Sequence, residues 1–95
     1  MKNQNENFYK NLKNLLNSTS DWPSEYIYKF IYQSNPEDLN TIKKIFKNLN
    51  ADFKIKKSKN HKYVSVSVRI NAKNPDIIIE KYVEVAKQIE NVILL

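Results

Sequence analysis

The sequence predicts an α+β domain in which a four-stranded antiparallel sheet carries two helices on one face, preceded by an extra N-terminal helix. Three observations support this fold class. Val64, Val66, Val68 and Ile70 alternate with polar residues, which is the pattern of a half-buried strand, and we interpret residues 61–72 as the central strand. Two Asn-Pro pairs mark helix starts. The segments follow one another in the order β-α-β-β-α-β.

Length and composition limit the function classes. The 95 residues allow one small domain with one core. Cysteine is absent, which excludes a disulfide framework, a thiolate nucleophile and a cysteine-based metal site. Residues 1–12 lack the apolar run of a signal peptide, and no segment approaches the roughly 18 apolar residues of a membrane span. We therefore expect a cytoplasmic protein that does not bind a membrane.

The N-terminal segment is predicted to form a helix outside the main domain. Residues 1–5 are polar and are expected to fray. From residue 6 to residue 17, apolar side chains recur at helical spacing and give an amphipathic helix that packs on the domain or on a partner: Phe8, Leu12, Leu15 and Leu16. Residues 18–20 are expected to end it. We assign residues 1–20 to this helix and its loop, and residues 21–95 to the domain.

The first strand is predicted over residues 26–32, which are aromatic and β-branched throughout. Its aromatic side chains should face the core, because the other face carries Lys29 between Ile27 and Ile31. A lysine is rarely buried without a partner. Because the segment is aromatic and β-branched throughout, this strand should lie inside the sheet rather than at its edge.

The two helices of the domain begin with the same signal. Ser34 or Asn35 is the candidate cap before Pro36, and Asn74 is the candidate cap before Pro75. The first of these helices is expected to end near Leu49. The second should bury one stripe of side chains: Ile78, Tyr82, Val85, Ala86 and Ile89.

Two further strands complete the predicted sheet. Residues 51–57 alternate, with two apolar side chains expected inward and two lysines outward: Phe53 and Ile55, and Lys54 and Lys56. Residues 92–95 are apolar and are expected to form a short final strand. This strand should lie at a sheet edge and has no charged residue to protect it from pairing with another chain.

The element order matches the ferredoxin-like split βαβ motif, in which the first and third strands are central and both helices cover one face. The other face is left open. We predict a candidate interaction surface on this open face, with Lys54 and Lys56 beside it, formed by Ile27, Lys29, Ile31, Tyr63, Ser65, Ser67, Arg69 and Ile93.

The formal net charge of +6 suggests a nucleic-acid or acidic partner. The lysines that cluster do so in the predicted hairpin, and they form a candidate basic patch: Lys54, Lys56, Lys57, Lys59 and Lys62. We interpret this patch as protection of the sheet edge rather than as a nucleic-acid site, because outward lysines discourage pairing with other chains.

Four segments carry a resemblance to a known family: Trp22-Pro23 before YIYKFI, the helix start NPEDL, the hairpin SKNHKYVSVSVRINA and the final KYVEVAKQIENVILL. Together they resemble the YbeD-like family of small bacterial proteins of unknown function, some of which carry the name of a lipoic acid-binding regulatory protein. The resemblance covers residues 21–95 and implies a ferredoxin-like fold similar to the ACT regulatory domains of amino-acid metabolism, with no established activity. Family members tend to have glycine where this chain has Gln33-Ser34 and Asn60, which argues against a ligand site that needs close backbone approach there.

The residue pattern does not indicate catalysis. His61, the single histidine, lies in a lysine-rich turn without a carboxylate or second ligand near it in sequence. Ser65 and Ser67 lie on a strand without a nucleophile elbow or a general base. The acidic residues fall mostly in first helical turns or on solvated helix faces. We therefore expect a protein that is not an enzyme, with no catalytic, cofactor-binding or metal-binding residues.

Two function hypotheses follow. The first is a regulatory or protein-interaction module that forms a homodimer through the final strand or the open face, with a small metabolite as a candidate ligand. The N-terminal helix is the alternative cover for the open face. The second hypothesis is RNA binding through the open face and the lysine-rich hairpin. Sheets of this topology stack bases on outward aromatic residues of both central strands, and Tyr63 alone fits that description here, so we favour the first hypothesis.

Overall fold

The computed structural model describes residues 2–94. In chain order the elements are α1 (Lys2–Thr19), β1 (Ser24–Gln33), α2 (Pro36–Ile45), a short 3₁₀ helix (Lys47–Leu49), β2 (Asp52–Lys57), β3 (Tyr63–Ala72), α3 (Pro75–Gln88) and β4 (Ile93–Leu94). The predicted α+β class with a four-stranded antiparallel sheet is confirmed. The strands differ from their predicted bounds by one or two residues at an end. Leu95, the last residue of the predicted final strand, lies outside the described residues.

β1 and β3 occupy the centre of the sheet, whose strand order is β2-β3-β1-β4. They pair along their whole length, from Ser24 opposite Ala72 to Gln33 opposite Tyr63. Within the described residues β4 pairs with β1 at two positions, Phe30 opposite Leu94 and Ile31 opposite Ile93. The sheet therefore depends mainly on one long antiparallel pair of strands.

The core lies between the sheet and the helices α2 and α3. On β1 the aromatic side chains of Tyr28, Phe30 and Tyr32 are buried, as predicted, and the alternating valines of β3 are buried beside them. The ring of Tyr82 on α3 packs edge-on against Tyr28 with 4.8 Å between ring centroids. Of the predicted stripe on α3, four members are buried and Ala86 is half-buried. Aromatic rings thus form a connected cluster between the two layers.

Both predicted helix starts are confirmed by the hydrogen bonds of their caps. The side-chain oxygen of Asn35 accepts the backbone N–H of Glu37 at 3.0 Å, and that of Asn74 accepts the backbone N–H of Ile77 at 3.1 Å. Each bond satisfies one of the amide donors that a helix start leaves without an intrahelical acceptor.

The chain has no glycine, so other residues take the left-handed backbone angles that its turns require. Asn50, His61 and Asn91 have φ of 50°, 59° and 58°. α2 ends at Ile45, earlier than predicted, because the chain tightens into the 3₁₀ helix and then turns at Asn50. In the hairpin the left-handed residue is His61, whereas the side chain of Asn60 bonds within the turn.

α1 packs on the domain, which was one of the two alternatives that the sequence left open. The ring of Phe8 contacts that of Tyr82 edge-on at 6.3 Å, and Lys13 Nζ lies 2.7 Å from Asp76 Oδ1. Leu16 is buried in the common core. α1 therefore lies beside α3 in the helical layer and leaves the open face of the sheet uncovered.

α1 is longer than the sequence predicted at both ends. It includes residues 2–5, where fraying was expected, and Met1 lies outside the described residues. It also continues through Ser18 to Thr19, so the prediction that residues 18–20 end the helix placed its end too early. The hydroxyls of Ser18 and Thr19 both donate to the Leu15 carbonyl, at 3.0 and 2.8 Å. These bonds to the preceding turn satisfy the hydroxyls within the helix.

The hydroxyls of two tyrosines on β1 differ in their partners. Tyr28 donates to the carbonyl of Ile78 on α3 at 3.1 Å. The hydroxyl of Tyr32 is the one buried side-chain polar atom without a hydrogen-bond partner in the part of the chain that the structure describes. The two residues thus form a matched pair for measuring what a buried phenol contributes.

Tyr28→Phe should lower the free energy of unfolding by about 1 kcal/mol, because the hydrogen bond to Ile78 is lost. Tyr32→Phe should leave stability unchanged or raise it, because it removes a polar atom that has no partner. Urea unfolding followed by circular dichroism measures both. Equal losses in the two variants would contradict this difference.

Stability should fall at alkaline pH. Burial raises the pKa of Tyr28 and of Tyr82 well above the ordinary value of about 10. As the pH rises, the unfolded chain therefore loses these two protons before the folded chain does. The free energy of unfolding is unaffected by ionisation of these groups below about pH 10, and above it falls by about 1.4 kcal/mol per pH unit for each tyrosine. Unfolding midpoints in urea between about pH 8 and pH 11 measure this, and a flat profile would contradict it.

Candidate interaction surface

The open face of the sheet carries the eight residues that the sequence predicted there. Along each strand these outward side chains alternate with side chains that point to the helices. The eight residues are Ile27, Lys29, Ile31, Tyr63, Ser65, Ser67, Arg69 and Ile93. Ile27 is 56% exposed, Ile93 51% and Tyr63 40%. Ile31 lies opposite Ile93 across the β1–β4 pair. We call Ile27, Ile31 and Ile93 the apolar strip.

Three lysines also lie on the open face, two of them on β2 and one, Lys29, on β1 between Ile27 and Ile31. Lys54 on β2 and Lys29 on β1 both lie opposite Ser67 of β3, and Lys56 lies opposite Ser65. All three lysines are exposed, and none forms an ion pair with any residue that the structure describes. The face therefore combines an apolar strip with three cations that are free to meet a negatively charged partner.

Arg69 differs from these lysines because it is already paired. Its guanidinium donates to Asp52 Oδ2 at 2.7 Å, and its Nε lies 3.9 Å from Glu25 Oε2. The hydrogen bond to Asp52, with the charges of Asp52 and Glu25, raises the pKa of Arg69. Its positive charge is thus largely balanced within the sheet.

The candidate basic patch does not form one surface, although its members are close in sequence. Lys54 and Lys56 lie on the open face, whereas Lys57 pairs with Val64 and lies on the helix side of the sheet. The remaining two lysines lie in the hairpin turn with the exposed His61. The strand period of two residues, which separates neighbouring side chains onto opposite faces, explains this division.

A polar cavity of about 360 Å³, which the sequence did not indicate, lies where β1 leads into α2. Its lining includes Asp38 and Glu90, which are far apart in sequence. Burial, with the charges of Glu37 and Glu90, raises the pKa of Asp38. No sequence signal could have found this pair, because it depends on where the end of α3 meets the start of α2.

Among the side chains that the structure describes, no group of three or more His, Asp or Glu residues is placed to hold a metal ion. No helix in the described part of the chain is long and apolar enough to cross a membrane.

These features define a small α+β domain with an uncovered sheet face. Residues 17–95 match the family described as "Protein of unknown function (DUF493)", and the chain belongs to that family. The match begins inside α1 and includes all four strands, α2 and α3. No curated protein matches the chain.

Removing the charge of the hairpin lysines should increase aggregation, because the outer side of β2 is a free sheet edge. The variant carries Gln at positions 54, 56, 57 and 59. Light scattering at increasing protein concentration measures the effect. A matched variant with Gln at four exposed helix lysines, Lys10, Lys43, Lys44 and Lys87, has the same net charge and should scatter like the unmodified protein. Equal aggregation of both variants would contradict edge protection.

Proposed function

We propose that the protein is a small non-catalytic regulatory module whose open face binds protein, with a second copy of the chain as its first partner. The observation that carries the proposal is the apolar strip, in which Ile27 and Ile93 are more than half exposed. Several large apolar side chains exposed together are a feature of interaction sites. α1, which was the alternative cover, packs on α3 instead.

The charges of the open face also suit self-association. Glu25, Asp52 and Arg69 lie at one end of the sheet and together are net negative, Lys56 lies toward the other end, and Lys29 and Lys54 lie in the row between. A two-fold rotation that reverses the strand direction brings the net negative end of one copy over the end of the other that carries Lys56. The two ends of the surface are therefore complementary to each other.

The association should be weak, because the open face is small. Each residue of a sheet occupies about 16 Å² of the face, so the four strands present roughly 450 Å². Stable complexes bury about 800 Å² per partner. We therefore expect a micromolar dimer whose population depends on protein concentration.

The ferredoxin-like fold and the likeness to YbeD-like proteins are part of this proposal. Central first and third strands support a ferredoxin-like fold. The resemblance of the sequence to YbeD-like proteins and to ACT regulatory domains supports a regulatory role in the bacterial cytoplasm. A small metabolite is a candidate ligand of the module.

RNA binding is the second candidate function. The three lysines of the open face favour it, because none of them has an ion-pair partner among the described residues. Two observations weigh against it. Tyr63 is the one aromatic side chain on the outward positions of the two central strands, whereas RNA-binding sheets stack bases on several. Arg69, the residue best suited to a phosphate, is held by Asp52 at 2.7 Å.

Sedimentation velocity at tens of micromolar should show a monomer–dimer equilibrium. Ile27→Lys should raise the dissociation constant more than tenfold, because a two-fold interface contains this side chain twice and each copy loses about 1 kcal/mol of apolar burial. Leu15→Lys is the matched control, since Leu15 is 58% exposed on α1 and lies away from the open face.

A single species of monomer mass in the unmodified protein would refute the dimer. Equal weakening by both substitutions would mean that the open face is not the interface. RNA binding with a steep salt dependence, abolished by neutralising Lys29, Lys54 and Lys56, would favour the second function. Deletion of residues 1–20 is not a clean test, because it removes Leu16 from the core.

A further inference from the structure

The outer edge of β2 has no partner in the described part of the chain. β2 is an edge strand of the sheet. One side of its backbone pairs with β3, and the other side faces away from the sheet. The backbone hydrogen bonds formed outside the regular elements do not reach residues 52–57. Amide and carbonyl groups along this edge are therefore available to an incoming extended chain.

A groove runs beside this edge on the helix side of the sheet. A cavity of about 350 Å³ separates the start of α2, at Leu39 and Asn40, from Ile55 and Lys57 of β2. Ile55 lies opposite Val66 and so points to the helix side, as predicted. It is nevertheless 44% exposed, whereas Val66 is fully buried. The groove thus offers apolar contact to a side chain that enters from the edge.

The other side of the same edge is basic. Lys54 and Lys56 point to the open face, are exposed and have no ion-pair partner among the described residues. A strand that pairs with β2 would place alternate side chains on these two sides. One set would meet Ile55 and the groove, and the other would meet the lysines.

We propose that the edge of β2 binds an extended segment of a partner protein in which apolar and acidic residues alternate, and that the segment adds to the sheet as a further strand. Main-chain hydrogen bonds supply affinity in this mode of recognition, and the alternate side chains supply specificity. The acidic residues meet Lys54 and Lys56, and the apolar residues enter the groove at Ile55. The site is separate from the apolar strip, so this proposal does not depend on the proposed dimer.

A second copy of β2 is a poorer occupant because of its own charge. In one of the two two-fold registers that align most of the strand, Lys54 lies opposite Lys56 of the other copy. In the other register Lys54 lies opposite Lys54, and the Asp52 that lies opposite Lys56 is already paired with Arg69. Like charges directly opposite one another destabilise a strand pair. The same lysines therefore disfavour copies of this chain and select an acidic strand.

The test uses the full-length protein labelled with ¹⁵N and a short capped peptide in which valine and glutamate alternate. Titration should shift the amide signals of residues 52–57, and the outward amides of β2 should become protected from hydrogen exchange. A peptide with lysine in place of glutamate should not bind. A peptide of the same sequence with N-methylated backbone amides should also fail, because it cannot donate to the edge.

Two sets of variants, each with its own control, identify the contacts. Lys54→Gln and Lys56→Gln should each weaken binding by up to about fivefold, with the loss greatest at low salt. Lys59→Gln in the turn is the control for charge and should have no effect. Ile55→Ser should weaken binding about tenfold through lost apolar contact, whereas Ile27→Ser on the open face should not.

Three results would overturn the proposal. The first is the absence of saturable shifts at millimolar peptide. The second is equal binding of the lysine peptide or of the N-methylated peptide. The third is a single-stranded RNA that shifts the same β2 amides while the acidic peptide does not, which would assign the edge to a nucleic acid.

Discussion

The pairing of β1 with β3 is the interaction on which the rest of the structure depends. All ten residues of β1 have a partner on β3, and the buried faces of the two strands provide the aromatic rings and valines against which the helices pack. β2 and β4 attach to this pair, one on each side. The open face exists because α2 and α3 both cover the aromatic side, and α1 adds to that layer through α3.

Local chemistry explains why so much of the fold could be predicted from the sequence. Alternation identified both faces of β1 and β3, because the side-chain period of a strand is two. The Asn-Pro signals located the starts of α2 and α3 to the residue, since a cap and a first-turn proline act within one helical turn. The eight residues of the candidate surface followed from the same alternation. Their role in binding stays a prediction.

What the sequence missed depends on contacts between distant segments. The position of α1 follows from its packing on Tyr82 and Asp76 of α3, which local periodicity does not encode. The exposure of Ile55 depends on how far α2 reaches toward the edge of the sheet, not on its strand pattern. Asn50 and Asn91 are a local exception: asparagine takes left-handed angles more readily than most residues, but it occurs at many other positions of this chain, so its presence does not single out these turns. The ion pair of Arg69 with Asp52 joins two strands whose register had to be known first.

The length of chain between β1 and β3 affects how the protein forms during synthesis. Gln33 pairs with Tyr63 and Ser24 with Ala72, so the partners are 30 to 48 residues apart. Contacts over such separations close large loops and form slowly compared with helical turns. A ribosome releases β1, the most aromatic segment of the chain, well before β3 exists to cover it. During that interval β1 lacks its main partner strand, and α1, followed by α2, is made early enough to shield its aromatic side chains.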